Sequence, residues 1–340
     1  MTYFFETYGC QMNTAESAAL VLVCGERGWT AASDGKSADL VLINTCSVRL
    51  TAEQRALGRL ALYASLKKKR NRTGQALTLV VAGCMAQRLG ADLKNQFPEV
   101  DYVMGTASRS IFPLILEAAE EGKSGRGRQD GAGRADPSAA SRSAGFPEFA
   151  DTPAFSFSSS HLEEGRFRSF IPIMHGCNNF CSYCIVPYVR GREVSRNPRS
   201  VAGEIQLVAE RGVREITLLG QNVNTYRWEG GELLDFPGLL RLVAKETEKT
   251  SVKWVRFLSA NPGGFSSRTI QVMAEHPVFC RHLHLCVQHG SNRVLSAMNR
   301  RYTREQYLEL VGRIRAAMPE ISLSTDILVG FPGETEEDLE

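Results

Sequence analysis

Cys177, Cys181 and Cys184 stand in the run HGCNNFCSYCIVPYVRG, three thiols spaced C-x3-C-x2-C. Thiolates are soft ligands that suit iron and zinc. Structural zinc sites are commonly assembled from C-x2-C or C-x4-C halves with a second pair following, and no second Cys or His pair lies close downstream here. Three thiolates on a loop straight after an apolar strand, FIPIMHG at 170–176, can instead hold three irons of a 4Fe-4S cubane. The fourth iron is then open to a small chelating ligand. The spacing thus favours an iron-sulfur cluster over zinc or plain buried thiols.

Nine cysteines occur in all, and three of the other six take equivalent places in an alternating pattern. The strand-like runs TYFFETYG, DLVLINT and LTLVVAG lead into Cys10, Cys46 and Cys84. Each is followed by a helix-like stretch: NTAESAALVLVCGERG, LTAEQRALGRLALYASLKKKR and RLGADLKNQF. Strands alternating with helices imply right-handed crossovers and a parallel, flavodoxin-like sheet, so residues just past the strands' carboxyl ends gather along one edge. Convergence of the three thiols predicts a second 4Fe-4S cluster on Cys10, Cys46 and Cys84. Cys24, on the apolar face of the first helix, and Cys280 and Cys286 have no ligand-like neighbours in sequence and read as small buried hydrophobes.

Composition sets the outer bounds. With 340 residues, 43% hydrophobic and 23% charged, the chain is an ordinary globular protein of two domains and is not disordered. MTYFFETYGC lacks the basic start and long apolar core of a signal peptide, and no run reaches the length of a membrane span, so a cytoplasmic setting is expected. Thiols in ligand-like positions agree with a reducing compartment. A net charge of +3 permits an RNA partner without requiring one.

Residues 1–120 read as the first domain, and 121–165, rich in Gly, Ser, Ala and Arg without periodicity, as a flexible linker or insertion. The second domain, 166–340, carries five strand candidates: FIPIMHG, REITLLGQN, WVRFLSA, HLHLCVQHG and ISLSTDILVGFPG. Helical stretches between them predict a partial (βα) barrel whose active face is built from the loops after each strand. Those loops offer Gln221, Asn222 and Asn224, then Ser259 and Asn261, then Gln288 and Ser291, then Gly330 to Glu334. The sequence stops at GETEEDLE, near the fifth strand and its helix, which reads as an incomplete barrel with the lateral edge of ISLSTDILVG left open.

At this point the residues resemble a known family. Cys177-x3-Cys181-x2-Cys184 is similar to the radical S-adenosylmethionine signature, and Tyr183 stands where that superfamily packs the adenine of its cofactor. YGCQMN, NTCSVR and GCMAQR around Cys10, Cys46 and Cys84 resemble the methylthiotransferase domain of the same superfamily. Both cysteine sets occur in family order, and the likeness covers nearly all the chain outside 121–165. QNVN at 221–224 and VPYVRGREVSR at 186–196 look like the branch that acts on N6-isopentenyladenosine in tRNA. Branches acting on threonylcarbamoyl-adenosine or on a ribosomal protein usually differ there, and with a non-catalytic iron-sulfur scaffold they are the alternatives.

The resemblance implies two 4Fe-4S clusters and S-adenosyl-L-methionine as cofactors. It also implies an electron donor such as flavodoxin or ferredoxin, a sulfur source, and tRNA as substrate. S-adenosylmethionine would chelate the open iron of the Cys177 cluster and yield a deoxyadenosyl radical that takes hydrogen from C2 of the adenine. Sulfur would come from the Cys10 cluster, and a second S-adenosylmethionine would give the methyl group. Arg300 or Arg301 would pair with the cofactor carboxylate, or else serve as solvated cations at a helix start. Gln288 and Ser291 would hold its ribose or carboxylate, or else cap turns. Relatives carry a small terminal β-barrel that grips tRNA, which is expected beyond residue 340.

Overall fold

The computed structural model describes residues 1–124 and 166–340, which form two compact units. One holds 1–124 with Tyr188–Gly191; the other holds 166–187 with Arg192–Glu340. The expected linker lies outside the described residues except at its start, where the helix Phe112–Ser124 runs past the expected boundary at 121. None of the described helices is long and apolar enough to cross a membrane.

In the first unit, strands β1 (Thr2–Tyr8), β2 (Thr30–Ala31), β3 (Leu40–Thr45), β4 (Thr78–Gly83) and β5 (Tyr102–Met104) make one sheet in the order β2-β1-β3-β4-β5. Every pairing is parallel, as the alternating sequence predicts. The period-2 alternation of β3 splits the core. Leu40 and Leu42 pack with Leu20, Trp29, Phe112 and Leu116; Val41 and Ile43 pack with Leu60, Tyr63, Met85 and Leu93. Helices α1 (Gln11–Glu26) and α4 (Phe112–Ser124) thus supply one face, and α2 (Leu50–Arg72) and α3 (Cys84–Gln96) the other. A sheet buried on both sides reads as apolar runs, and all six residues of β3 are buried.

In the second unit, strands β6 (Arg168–Pro172), β7 (Glu215–Leu219) and β8 (Trp254–Phe257) pair in parallel in sequence order. Strands β9 (His282–His284) and β10 (Ser322–Ser324) form a further parallel pair. Single parallel bridges, Val255 to Phe279 and Ala260 to Leu285, carry the order on from β8 to β9. All five expected strands are present, each shorter than the run that predicted it. Helices between them are capped by their own sequence. The side chains of Asn197, Asp235, Ser266 and Ser291 accept backbone N–H bonds at four helix starts, and Thr303 with Gln306 forms a capping box on the helix Arg304–Ala317. Ile327 and Val329, past β10, are 66% and 64% exposed.

Candidate metal centres

In the first unit the parallel register decides which side chains meet. Tyr8 pairs with Thr45, and Thr45 with Gly83. Cys10, Cys46 and Cys84 therefore leave three neighbouring strands at the same end. Two glycines let the strand ends close. At Gly9 a Cβ would lie 2.6 Å from the Cβ of Cys46; at Gly83, with φ of +93°, it would lie 2.6 Å from the Thr45 carbonyl. The Cys10 thiol donates to the side-chain oxygen of Asn13 at 3.3 Å. Its interaction with Cys46 pulls the Cys46 thiol down to about 6, helped by the backbone N–H of Val48 at 3.3 Å, and raises Cys10. Burial pushes Cys84 up.

Beneath the thiols lies a polar bed. Asn13 donates to Asn44 at 3.0 Å, and Asn44 donates to the Asn13 carbonyl at 3.0 Å and to Ser17 at 2.9 Å. Beside them Glu16, 2% exposed, accepts from Arg190 at 2.7 and 3.3 Å, and Arg109 stands 3.7 Å away. Burial would raise the Glu16 carboxyl, yet Arg190 and Arg109 hold it below its ordinary value. Arg190 also hydrogen-bonds Cys84 and lowers it electrostatically. A buried cation near the Cys10 and Cys84 thiols favours their ionised form and the net negative charge of a thiolate-ligated cluster. The donor set, with its N–H donors and cation, therefore suits an iron-sulfur cluster.

The second triad lies on the loop between Met174–His175 and the short helix Val186–Arg190. Cys177 and Cys181 are buried and Cys184 half-buried. Burial pushes the Cys177 thiol up to about 11, with the nearby Cys184 and Cys181 adding to it, while the N–H of Asn179 draws it down. Burial also raises Cys184, against the N–H of Val186. Three thiols close enough to feel one another, with loop N–H groups aiding Cys177 and Cys184, suit three irons of a cubane. The loop is held by polar braces. Gly176 N–H donates to Gln221 at 2.6 Å, and Asn299 donates to the Phe180 carbonyl at 2.8 Å.

Cys181 opens onto a cavity of about 170 Å³ also lined by Asn222, Asn224, Asn261, Arg300 and Arg301. It shares Gly263, Gly264 and Arg301 with a hollow of about 450 Å³ whose lining includes Tyr302 and Gln306. Arg300 donates to the Tyr183 hydroxyl at 2.7 Å, with its guanidinium 5.9 Å from that ring's centre. Two buried polar atoms of the lining residues, Arg300 Nε and Asn222 Oδ1, have no hydrogen-bond partner. Buried groups left so are typical of sites that complete their bonds with a ligand, and an arginine fork suits a carboxylate.

Of the other sequence-predicted residues, Gln221 braces the cysteine loop. Ser291 caps its helix and donates to Asp338 at 2.6 Å. Ser259 and Gln288 adopt φ of 64° and 70°, rare for residues with a Cβ, and neither lines the cavity. Among the remaining cysteines Cys24 is fully buried, as expected, but Cys280 and Cys286 are only half-buried. Cys286 is not an isolated apolar filler either, because the parallel pairing of β9 with β10 brings it beside His284 and Asp326. Sequence reading also missed Glu16, Arg109 and Arg190. The one available signal was a carboxylate among the apolar residues of α1.

Residues 171–340 match the family described as the radical SAM superfamily, and residues 2–105 match uncharacterized protein family UPF0004. A tRNA-2-methylthio-N(6)-dimethylallyladenosine synthase of Treponema pallidum subsp. pallidum is 50% identical over 343 residues, covering 100% of this chain and 72% of the relative. The Treponema denticola protein of the same name is 47% identical, also covering 100% and 72%, and that of Geotalea uraniireducens 42%, covering 99% and 71%. Among solved structures, a radical S-adenosylmethionine methyltransferase of Kitasatospora setae, with tryptophan substrate and a cofactor analogue bound, superposes with a TM-score of 0.66 at 18% identity, covering 99% of this chain and 69% of that one. The cobalamin-dependent radical enzyme OxsB gives 0.61 at 9% identity, covering 99% and 51%. These two likenesses concern the fold. With identity of 42–50% across essentially its whole length, the chain belongs to the family of tRNA-2-methylthio-N(6)-dimethylallyladenosine synthases within the radical SAM superfamily.

Proposed function

We propose that the chain inserts sulfur and a methyl group at C2 of N6-isopentenyladenosine in tRNA. The observation that carries this reading is the pair of cysteine triads, one in each unit and each gathered by its own loops. Residues 1–120 would carry the sulfur-delivering centre and 166–340 the radical core, joined by 121–165. Cys177, Cys181 and Cys184 would hold one 4Fe-4S cluster, and Cys10, Cys46 and Cys84 a second. When bound, the first cluster supplies the electron that cleaves S-adenosylmethionine, and the second supplies sulfur.

The chain's own groups position and shield. Arg300 and Arg301, at the cavity beside Cys181, suit the carboxylate of S-adenosylmethionine. Tyr183, tied to Arg300, offers a ring face to the adenine. Gln221 fixes the loop backbone, Ser259 and Gln288 turn the chain just past two strands through their positive φ, and Ser291 caps the helix that follows. Arg190 keeps a positive charge beside Cys84. An external reductant of the flavodoxin or ferredoxin kind and a sulfur source complete the reading, in a cytoplasmic setting.

Cys46→Ala separates the two roles. In anaerobically reconstituted protein it is expected to leave reductive cleavage of S-adenosylmethionine intact while abolishing the methylthio product on isopentenyladenosine tRNA. Loss of cleavage together with insertion contradicts the division of labour.

A further inference from the structure

We infer that His284, Cys286 and Asp326 form a third metal site, distinct from both cysteine triads, for a borderline-soft divalent cation such as zinc. His284 ends β9, Cys286 follows two residues on, and Asp326 lies two residues past Ser324, the register partner of His284. Period-2 alternation along two parallel strands therefore points all three side chains the same way. Their ligand atoms form a triangle. Cys286 Sγ lies 3.0 Å from His284 Nε2, Nε2 lies 3.3 Å from Asp326 Oδ2, and Sγ lies 3.8 Å from Oδ2.

Those edges decide the kind of ligand. A tetrahedral zinc ion with bonds of about 2.0 Å to N or O and about 2.3 Å to S sets its ligand atoms roughly 3.3–3.6 Å apart. The three observed edges bracket that range, so side-chain shifts of a few tenths of an ångström seat the ion. An outer shell is in place as well. His284 Nδ1 lies 3.0 Å from Ser324 Oγ, a contact that, with Nδ1 as donor, turns the Nε2 lone pair toward Cys286 and Asp326. A thiolate, an imidazole and a carboxylate together suit zinc better than the all-oxygen ions magnesium and calcium. Asp326 is 71% exposed, which leaves an entry path and a fourth position for water or a small ligand.

The test uses protein with its iron-sulfur clusters reconstituted, so that the two triads are filled. After anaerobic incubation with zinc and desalting, metal analysis is expected to find one zinc per chain with no loss of iron. Zinc-edge X-ray absorption should show one sulfur neighbour and the rest nitrogen or oxygen. Cys286→Ala and Asp326→Asn should each weaken zinc binding at least tenfold, and Ser324→Ala about tenfold through the outer shell. Cys280→Ala should leave it unchanged. If a ligand variant fails to fold, the absorption spectrum of the unaltered protein still decides. No retained zinc, zinc with three or four sulfur neighbours, zinc gained only as iron is lost, or equal affinity in Cys286→Ala overturns the site.

Discussion

Glu16 and Arg190 hold opposite charges almost wholly out of water, with 2% and 3% of their side chains exposed. Breaking such a pair from one side leaves the other charge uncompensated, which costs about 3–5 kcal/mol. Glu16→Gln is therefore expected to lower the unfolding free energy of the first unit by an amount of that order, read from the fall of its urea midpoint, and to loosen iron on Cys84 by freeing Arg190. An unchanged midpoint would show that the thiols suffice to hold the Arg190 cation. The pH dependence has a fixed sign. The folded carboxyl sits below its ordinary value of 4.5, so the contribution of Glu16 is complete above that value and is lost as pH falls through the lowered one. Acid titration of Glu16→Gln should lack that component. The six cysteines were legible because ligand spacing and strand ends are written locally. The ion pair was not, since its partners stand 174 residues apart and neither belongs to a short motif.

At the scale of elements, the junction of β4 with α3 seats the third thiol of the first triad. Gly83, with φ of +93°, turns the strand into the helix, and Cys84 is that helix's first residue. The helix amino end favours an ionised thiol there. Ala at this position would meet the Asn44 side chain at 2.3 Å and the Thr45 carbonyl at 2.6 Å. The second of these is backbone and cannot swing aside. Gly83→Ala is expected to cost about 1–3 kcal/mol in strain and to reduce the iron held by the first unit, read by thermal unfolding and iron analysis. Unchanged iron and stability would mean that the turn is not strained. Sequence reading started this helix at RLGADLKNQF, four residues late, because CMAQ carries no capping residue and no helical period. It also missed Thr30–Ala31 and Tyr102–Met104, strands too short for alternation to register. The five strands of the second unit were legible by their apolar runs, although pairing trims each one. The cluster of His284, Cys286 and Asp326 was not, because it exists only once β9 and β10 pair in register.

For the whole molecule, the account requires two independent iron-sulfur centres in two units. Reconstituted protein is expected to hold about eight irons, and Cys177→Ala to remove half of them. Loss of all iron on that one change would mean a single shared site. The identity of the substrate is decided most directly by mass spectrometry of tRNA nucleosides from cells in which the gene for this chain is deleted. The account predicts that the 2-methylthio form of N6-isopentenyladenosine disappears, that the unmodified isopentenyladenosine accumulates in its place, and that the methylthio form of threonylcarbamoyl-adenosine is untouched. Persistence of the methylthio isopentenyladenosine at its normal level, or loss of the threonylcarbamoyl form instead, would contradict it.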